Sequence, residues 1–311
     1  MHDIDPTAWD TLLARQTHPS PFMRHAYLAA LQDSGSATSR TGWAARCFLL
    51  WQGDALAAAC VLYLKAHSRG EYVFDWAWAD AYARHGLVYY PKAVVAVPFT
   101  PVPGTRLLAC DGEARRVLLQ QLIAWCQEQR LSSLHLLFAA EEDIASARQT
   151  GLMLRHTVQF HWHNRHPQQQ RPFTDFDGFL MSLSQDKRKQ LRQQRRRVAD
   201  AGARFRVCRG EEISVADWDF FYACYDRTYW EHGNPPYLTR DFFVRAAARM
   251  PEMWLLFIAE RDGQPIASTL IAAGVEPSSA AGQSGTQPVA YGRDWGALEP
   301  VPCLHFEACY Y

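Results

Sequence analysis

The stretch LFIAERDGQPIASTL, from Leu256 to Leu270, places two apolar runs on either side of an Asp-Gly pair. This arrangement is typical of a β-hairpin with a tight turn. An earlier stretch, FLLWQGDALAAACVL from Phe48 to Leu62, repeats the pattern: an apolar run, a glycine turn and a run of small residues. The recurrence predicts two similar units, each built around a central hairpin, at Cys47–Leu64 and Trp254–Ile271.

Helical and strand patterns alternate around both hairpins. GEARRVLLQQLIAWCQEQR, from Gly112, and VADWDFFYACYDRTYWEHG, from Val215, have helical periodicity. SLHLLFA, RFRVC, VAYGRDWG and, from Met153, MLRHTVQFHWH are predicted strands, as are the regions near Glu71–Trp76 and Leu87–Val97. The fold class is therefore α/β (α+β), with a mixed sheet in each unit.

Two polar segments interrupt these patterns. HPQQQRP, from His166, is bounded by proline and predicts a linker that separates a first unit, residues 1–170, from a second, residues 171–311. VEPSSAAGQSGTQP, from Val275, has no apolar period and predicts a mobile loop.

Composition narrows the class of protein. The 311 residues have a formal net charge of zero and are 48% hydrophobic, which is ordinary for a packed chain. The longest apolar run has 10 residues, too few to span a bilayer, and the N-terminus lacks the apolar core of a signal peptide. None of the eight cysteines forms a CxxC pair, so we expect reduced thiols and a cytoplasmic location.

Positive charge is concentrated in SQDKRKQLRQQRRRVADAG, from Ser184 to Gly202. The segment is predicted to form a helix, with Ser184 as its N-cap and Gly202 just past its C-terminus. Its residues can therefore be placed on a helical wheel at 100° per residue. Lys187 falls within the apolar stripe, and Arg188 and Arg192 border it. We expect these three to bind a phosphate or carboxylate. The alternatives are a solvated charged face and a nonspecific nucleic-acid patch.

Three stretches together resemble a known family: DKRKQLRQQRRRVADAG, LFIAERDGQPIASTLI and YGRDWGALEPVPCLHFEACYY. They resemble the Fem-type (FemABX-like) branch of the GNAT acyltransferase superfamily, in its Gram-negative group of peptidoglycan biosynthesis/recognition proteins. The resemblance implies tandem GNAT-like units that transfer an acyl group to an amine. In the best-known members the donor is an aminoacyl-tRNA and the acceptor is a muropeptide precursor.

The end of the chain departs from that family. VPCLHFEACYY has the pattern of a helix that starts after Pro302 and lacks a stop signal, while members usually continue beyond CYY. We therefore expect the second unit to be incomplete at its C-terminus.

Acetyl-CoA is disfavoured as the donor. A pyrophosphate is normally bound by backbone N–H groups of a Gly-rich loop before a helix. The corresponding regions here are VPFTPVPGTRLL and WGALEPVPCLHF, whose prolines have no N–H to donate. No cofactor is implied, and aminoacyl-tRNA is the preferred donor.

Candidate catalytic residues lie near the end of the chain. Acyl transfer to an amine needs a proton acceptor, which His305 or Glu307 could supply. Tyr291, Arg293 and Trp295 precede them and are candidates for substrate binding, with Arg293 on a carboxylate and Trp295 on a ring. The structural alternative is that Glu307 complements a helix N-terminus and that Trp295 is a core residue.

Two further groups of side chains have weaker patterns. Tyr229 belongs to the aromatic stretch RTYWEHGNPPYLT, which either contacts substrate or packs within the fold. His161 and His163 have spacing suited to zinc on a strand, but a third ligand is not evident and we predict no metal.

These observations predict a cytoplasmic acyl- or aminoacyltransferase that binds an anionic, muropeptide-like acceptor and tRNA in a groove between the units, lined by the basic helix. A non-catalytic module that binds muropeptide or RNA, and a CoA-dependent N-acetyltransferase, are the alternatives.

Overall fold

The computed structural model describes residues 1–277 and 286–311. Its helices are α1 Pro6–Ala14, α2 His25–Asp33, α3 Trp76–Arg84, α4 Gly112–Glu128, α5 Glu141–Gln149, α6 Phe176–Met181, α7 Gln185–Asp200, α8 Val215–Glu231, α9 Arg240–Arg249 and α10 Leu304–Tyr310. Its strands are β1 Trp43–Gln52, β2 Ala55–Lys65, β3 Lys92–Val95, β4 Leu108–Ala109, β5 Leu134–Leu136, β6 Arg204–Arg209, β7 Trp254–Arg261, β8 Gln264–Pro277 and β9 Thr286–Ala297.

The chain divides into two compact units, each assembled from three stretches of sequence. The first comprises Met1–Leu154, Tyr237–Met253 and Ala273–Ala290, and the second comprises Arg155–Pro236, Trp254–Ala272 and Tyr291–Tyr311. The linker expected near residue 170 therefore lies within the second unit, and each unit takes segments from both sides of it.

The sheet of the first unit is mixed and has the order β1-β2-β3-β5, with β4 also paired to β2. Strands β1 and β2 form the predicted hairpin, with Cys47 opposite Val61, and β3 runs parallel to β5. Helix α4 covers this sheet, because Leu118 and Leu122 pack with Cys60, Leu62 and other buried residues of β2 and β3. The periodicity seen in sequence thus forms a helix-on-sheet core.

The second unit has a four-stranded sheet in the order β6-β7-β8-β9. Strands β7 and β8 form the second predicted hairpin, with Leu256 opposite Leu270. Asp262 and Gly263 at its turn have φ angles of 52° and 74°, values that glycine and aspartate tolerate and that a two-residue hairpin requires. One face of this sheet packs against α7 and α10 through Val198, Leu304 and their neighbours.

Two predicted strands are absent from the described part of the chain. Met153–His163 has no helix or strand, since apolar alternation alone does not supply a partner edge for hydrogen bonding. The region near Glu71–Trp76 also forms no strand, and α3 begins at Trp76. Glu71 and Asp75 in this region are both buried.

The loop expected after Val275 lies largely outside the described residues. Within residues 1–277 and 286–311, no helix is both long and apolar enough to cross a membrane.

Candidate functional site: the basic helix and the end of the chain

Helix α7 has the predicted capping residues. The Ser184 hydroxyl accepts a hydrogen bond from the Lys187 amide at 3.4 Å, which satisfies one of the free N–H groups of the first turn. At the other end Gly202 takes a φ of 76°, the left-handed conformation that ends many helices. Only Val198 on this helix is buried, so its basic side chains are held at the surface.

An open cavity of about 610 Å³ lies along one face of α7. Six side chains of the helix line it: Gln185, Arg188, Lys189, Arg192, Gln193 and Arg196. Arg188, Arg192 and Arg196 are four residues apart and therefore share one face. This face presents four cations to the cavity, an arrangement suited to phosphate or carboxylate.

The structure places the predicted lining residues differently from the helical wheel. Lys187 is exposed and does not line the cavity, although the helical wheel placed it in the apolar stripe. Only the C-terminal end of that stripe, at Val198, is buried in the core. Arg188 does line the cavity, and its guanidinium also donates to the Leu183 carbonyl at 2.6 Å, which leaves part of its donor capacity for a ligand. Arg196 is also among the lining residues.

Helix α10 is attached to α7 by polar contacts. The Arg195 Nε donates to both carboxylate oxygens of Glu307, at 3.0 and 3.1 Å. The Tyr311 hydroxyl donates to Gln194 Oε1 at 2.7 Å, and the Arg195 guanidinium lies 4.7 Å from the centre of the Phe176 ring. The Glu307 carboxylate is therefore an ion-pair partner in this structure, with its orientation fixed.

His305 lies beside Trp295. Their ring centroids are 5.3 Å apart, and His305 is exposed. Successive side chains of a strand point to opposite sides, so Tyr291 and Arg293 of β9 share the side of Trp295. The structure thus brings Trp295 and His305 together and places Tyr291 and Arg293 on the same side of β9, while Glu307 is directed to Arg195.

Tyr229 lies on the other side of β9. It belongs to α8, which approaches the strand at Gly296: a Cβ added there would lie 2.3 Å from the Cys224 carbonyl oxygen. Because Gly296 and Trp295 are neighbours in a strand, α8 and the Trp295 ring are on opposite sides. Tyr229 packs against Tyr225, with ring centroids 4.7 Å apart.

The two histidines considered for zinc are both exposed, in the segment that has no helix or strand. Among the residues that the structure describes, no group of three or more His, Cys, Asp and Glu side chains is placed to hold a metal ion.

Sequence reasoning missed a buried charged cluster in the first unit, which we call the Lys92 cluster: Lys65, Ser68, Glu71, Asp75 and Lys92. The Lys92 Nζ donates to Glu71 Oε2 at 2.8 Å, to Ser68 Oγ at 2.9 Å and to Asp75 Oδ2. Lys65 lies 3.9 Å from Glu71 Oε1 and has its Nζ 3.6 Å from the centre of the Trp43 ring. Lys65 ends β2 after an apolar run, and Lys92 begins β3 before one. A lysine next to an apolar run at a strand end was the signal in the sequence for these buried charges.

Burial perturbs the ionisation of this cluster. Desolvation lowers the pKa of Lys65 to about 7, with the Glu71 carboxylate opposing the shift. Desolvation also raises the pKa of Glu71. Burial by itself would raise the pKa of Asp75, but hydrogen bonds from Lys92, Ser68 and Tyr89 together lower it.

Comparisons with known proteins bear on the family. No protein of curated function matches the chain. Two solved structures are similar in part: FemX, at 12% identity and a TM-score of 0.44, and the C-terminal domain of an Agrobacterium fabrum protein described as a lysylphosphatidylglycerol synthetase, at 13% and 0.41. The matches cover 83% and 86% of this chain, which spans only 57% and 62% of the length of those two. The model of the FemAB-like family, described as peptidoglycan biosynthesis/recognition, matches residues 1–311, and this chain belongs to that family.

Proposed function

We propose that this chain is an acyl- or aminoacyltransferase that acts on an amine of an anionic, muropeptide-like acceptor. The observation that carries the proposal is the cavity along α7, with Arg188, Lys189, Arg192 and Arg196 among its lining residues. An acceptor that carries phosphates or carboxylates would be held there by charge-assisted hydrogen bonds. The family's description, peptidoglycan biosynthesis or recognition, supports an acceptor of this class.

The transfer step needs a protein side chain that moves one proton from the amine to the leaving group. The amine nitrogen attacks the carbonyl carbon of the donor ester, a C–N bond forms, and the ester C–O bond breaks to release an alcohol. The amine must lose a proton, and the departing alkoxide must gain one. In our proposal the exposed imidazole of His305 moves this proton, because imidazole is an effective general base and acid near neutral pH.

Glu307 has a different part in this proposal. Its two carboxylate oxygens share the Nε–H of Arg195, so the carboxylate is held in an ion pair. We assign it to positioning: it holds α10, and with it His305, against α7. Trp295, 5.3 Å from His305 by ring centroid, is assigned to packing against the imidazole and the substrate.

Within this proposal the donor is an aminoacyl-tRNA, since its polyanionic backbone suits the exposed cations of α7. With that donor, the proposed location of the protein is the cytoplasm. Lys189, Arg192, Arg196 and Arg197 are exposed on α7 and could contact a polyanionic backbone. The same observation favours the second candidate, a non-catalytic module that binds RNA or muropeptide through α7.

The two candidates differ in product formation. The protein is incubated with aminoacylated tRNA and a pool of muropeptide precursors, and the masses of the precursors are measured before and after the incubation. An enzyme gives a precursor heavier by one aminoacyl group, in amounts exceeding the protein, and His305→Ala should slow its formation by about 10²–10⁴. Saturable binding with no new mass would instead identify a binding module.

A further inference from the structure

Helix α3 of the first unit exposes an unusual amount of apolar surface. Seven of the nine residues in WAWADAYAR are apolar, yet none of the nine is buried. Trp76 and Trp78 are 48% and 45% exposed. A helix of a packed protein normally buries an apolar stripe, so this surface is expected to be covered by something else.

The segments at both ends of α3 also expose large apolar side chains. Phe74, 80% exposed, and Tyr72 precede the helix, while Leu87 and Val88, the latter 79% exposed, follow it. Together with Trp76 and Trp78 they form what we call the α3 patch: six large apolar side chains within seventeen consecutive positions.

The Lys92 cluster fixes this patch to the sheet. Glu71 and Asp75 alternate with Tyr72, Phe74 and Trp76, so drawing the two carboxylates inward to Lys92 leaves the aromatic side chains outward. At the far end, the Tyr89 hydroxyl donates to Asp75 Oδ2 at 2.7 Å, next to exposed Val88. A buried charge network is costly to form, and here it fixes the backbone on both sides of Tyr72 and Phe74.

We propose that the α3 patch is a docking surface for an anionic lipid bilayer. Tryptophan and tyrosine favour the boundary between water and hydrocarbon, and phenylalanine, leucine and valine favour its apolar side. The charges that flank the patch complement anionic headgroups, because two arginines, Arg69 and Arg84, are exposed against one exposed acid, Asp80. Shallow insertion with a basic rim is how peripheral proteins attach reversibly.

The composition of the patch favours lipid over sugar. A sugar-binding platform uses flat aromatic faces with hydrogen-bonding groups beside them. Leu87 and Val88 have neither, whereas both partition into hydrocarbon. This proposal does not depend on the transfer reaction.

The test is vesicle flotation with the full chain. One set of vesicles contains equal parts of phosphatidylglycerol and phosphatidylcholine, and the other contains phosphatidylcholine alone. The variants are Phe74→Ser/Trp78→Ser in the patch, Trp51→Ser as a matched exposed tryptophan of the same unit, and Arg192→Gln/Arg196→Gln on α7. Melting temperatures establish that each variant is folded.

We expect the wild type to float with the anionic vesicles and the patch variant to bind at least about tenfold more weakly. The Trp51 variant should bind as the wild type does, and the α7 variant should lose less binding than the patch variant. Three results would overturn the proposal: no binding of the wild type to anionic vesicles, unchanged binding of the patch variant, or binding lost with the α7 charges instead. Self-association that the patch substitutions abolish, without vesicle binding, would make the patch a protein interface and would also overturn it.

Discussion

The Lys92 cluster allows a quantitative prediction for Lys92→Met. The Lys92 ammonium contacts Ser68, Glu71 and Asp75, and its side chain is fully enclosed. Methionine has similar length but cannot donate, so two carboxylates would stay buried without their main partner. Removing one side of a buried ion pair costs about 3–5 kcal/mol, and we expect a loss in that range.

Urea unfolding, followed by tryptophan fluorescence, measures this loss. Arg148→Met is the control, because the pair between Arg148 and Glu141 is exposed and 3.7 Å apart; it should change the midpoint little. If Lys92→Met does not fold, the triple variant with Glu71→Gln and Asp75→Asn should recover much of the stability, since it removes the orphaned charges. A loss below about 1 kcal/mol for Lys92→Met would refute the reasoning.

Three further predictions concern a tightly packed glycine, a buried carboxylate and the two candidate catalytic residues. Gly296→Ala should destabilise the chain by about 1–3 kcal/mol in urea unfolding, because the new methyl meets the Cys224 carbonyl, whereas Gly292→Ala, with open space around it, should not. Burial raises the pKa of Asp143 from 3.8 to about 6, so the folded chain keeps a proton that the unfolded chain has lost. The proton kept on Asp143 contributes stability that is fully present below pH 3.8 and is lost as the pH rises to about 6. Asp143→Asn should remove this dependence of the unfolding free energy on pH. An unchanged slope of unfolding free energy against pH would contradict the assignment. In transfer assays His305→Ala should lower kcat by about 10²–10⁴, while Glu307→Gln should lower it less than tenfold, and the reverse order would exchange their roles.

Local sequence signals predicted much of the fold. The two hairpins and the basic helix depend on neighbouring residues: Asp262-Gly263 supplies the turn, and Ser184 and Gly202 cap α7. The family resemblance drawn from three short stretches is confirmed by the match over residues 1–311.

Features that depend on distant residues were not predictable in the same way. The pairing of Lys92 with Glu71 and Asp75 joins residues 21 and 17 positions apart, on opposite sides of α3 in the sequence. The exposure of Lys187 depends on which part of α7 the sheet covers, and a helical wheel contains no such information. The roles of His305, Glu307 and the cavity-lining cations remain predictions.

The most direct test of the central claim is calorimetric binding of a phosphate-bearing muropeptide precursor to four single variants. Arg192→Gln and Arg196→Gln alter the cavity, whereas Lys187→Gln and Arg197→Gln alter exposed cations of the same helix that do not line it. Losing a charge-assisted contact should weaken binding by about ten- to a hundredfold for the first two and hardly at all for the others. Equal weakening by all four, disappearing at high salt, would contradict the account, because it would show that α7 acts only as a diffuse positive surface.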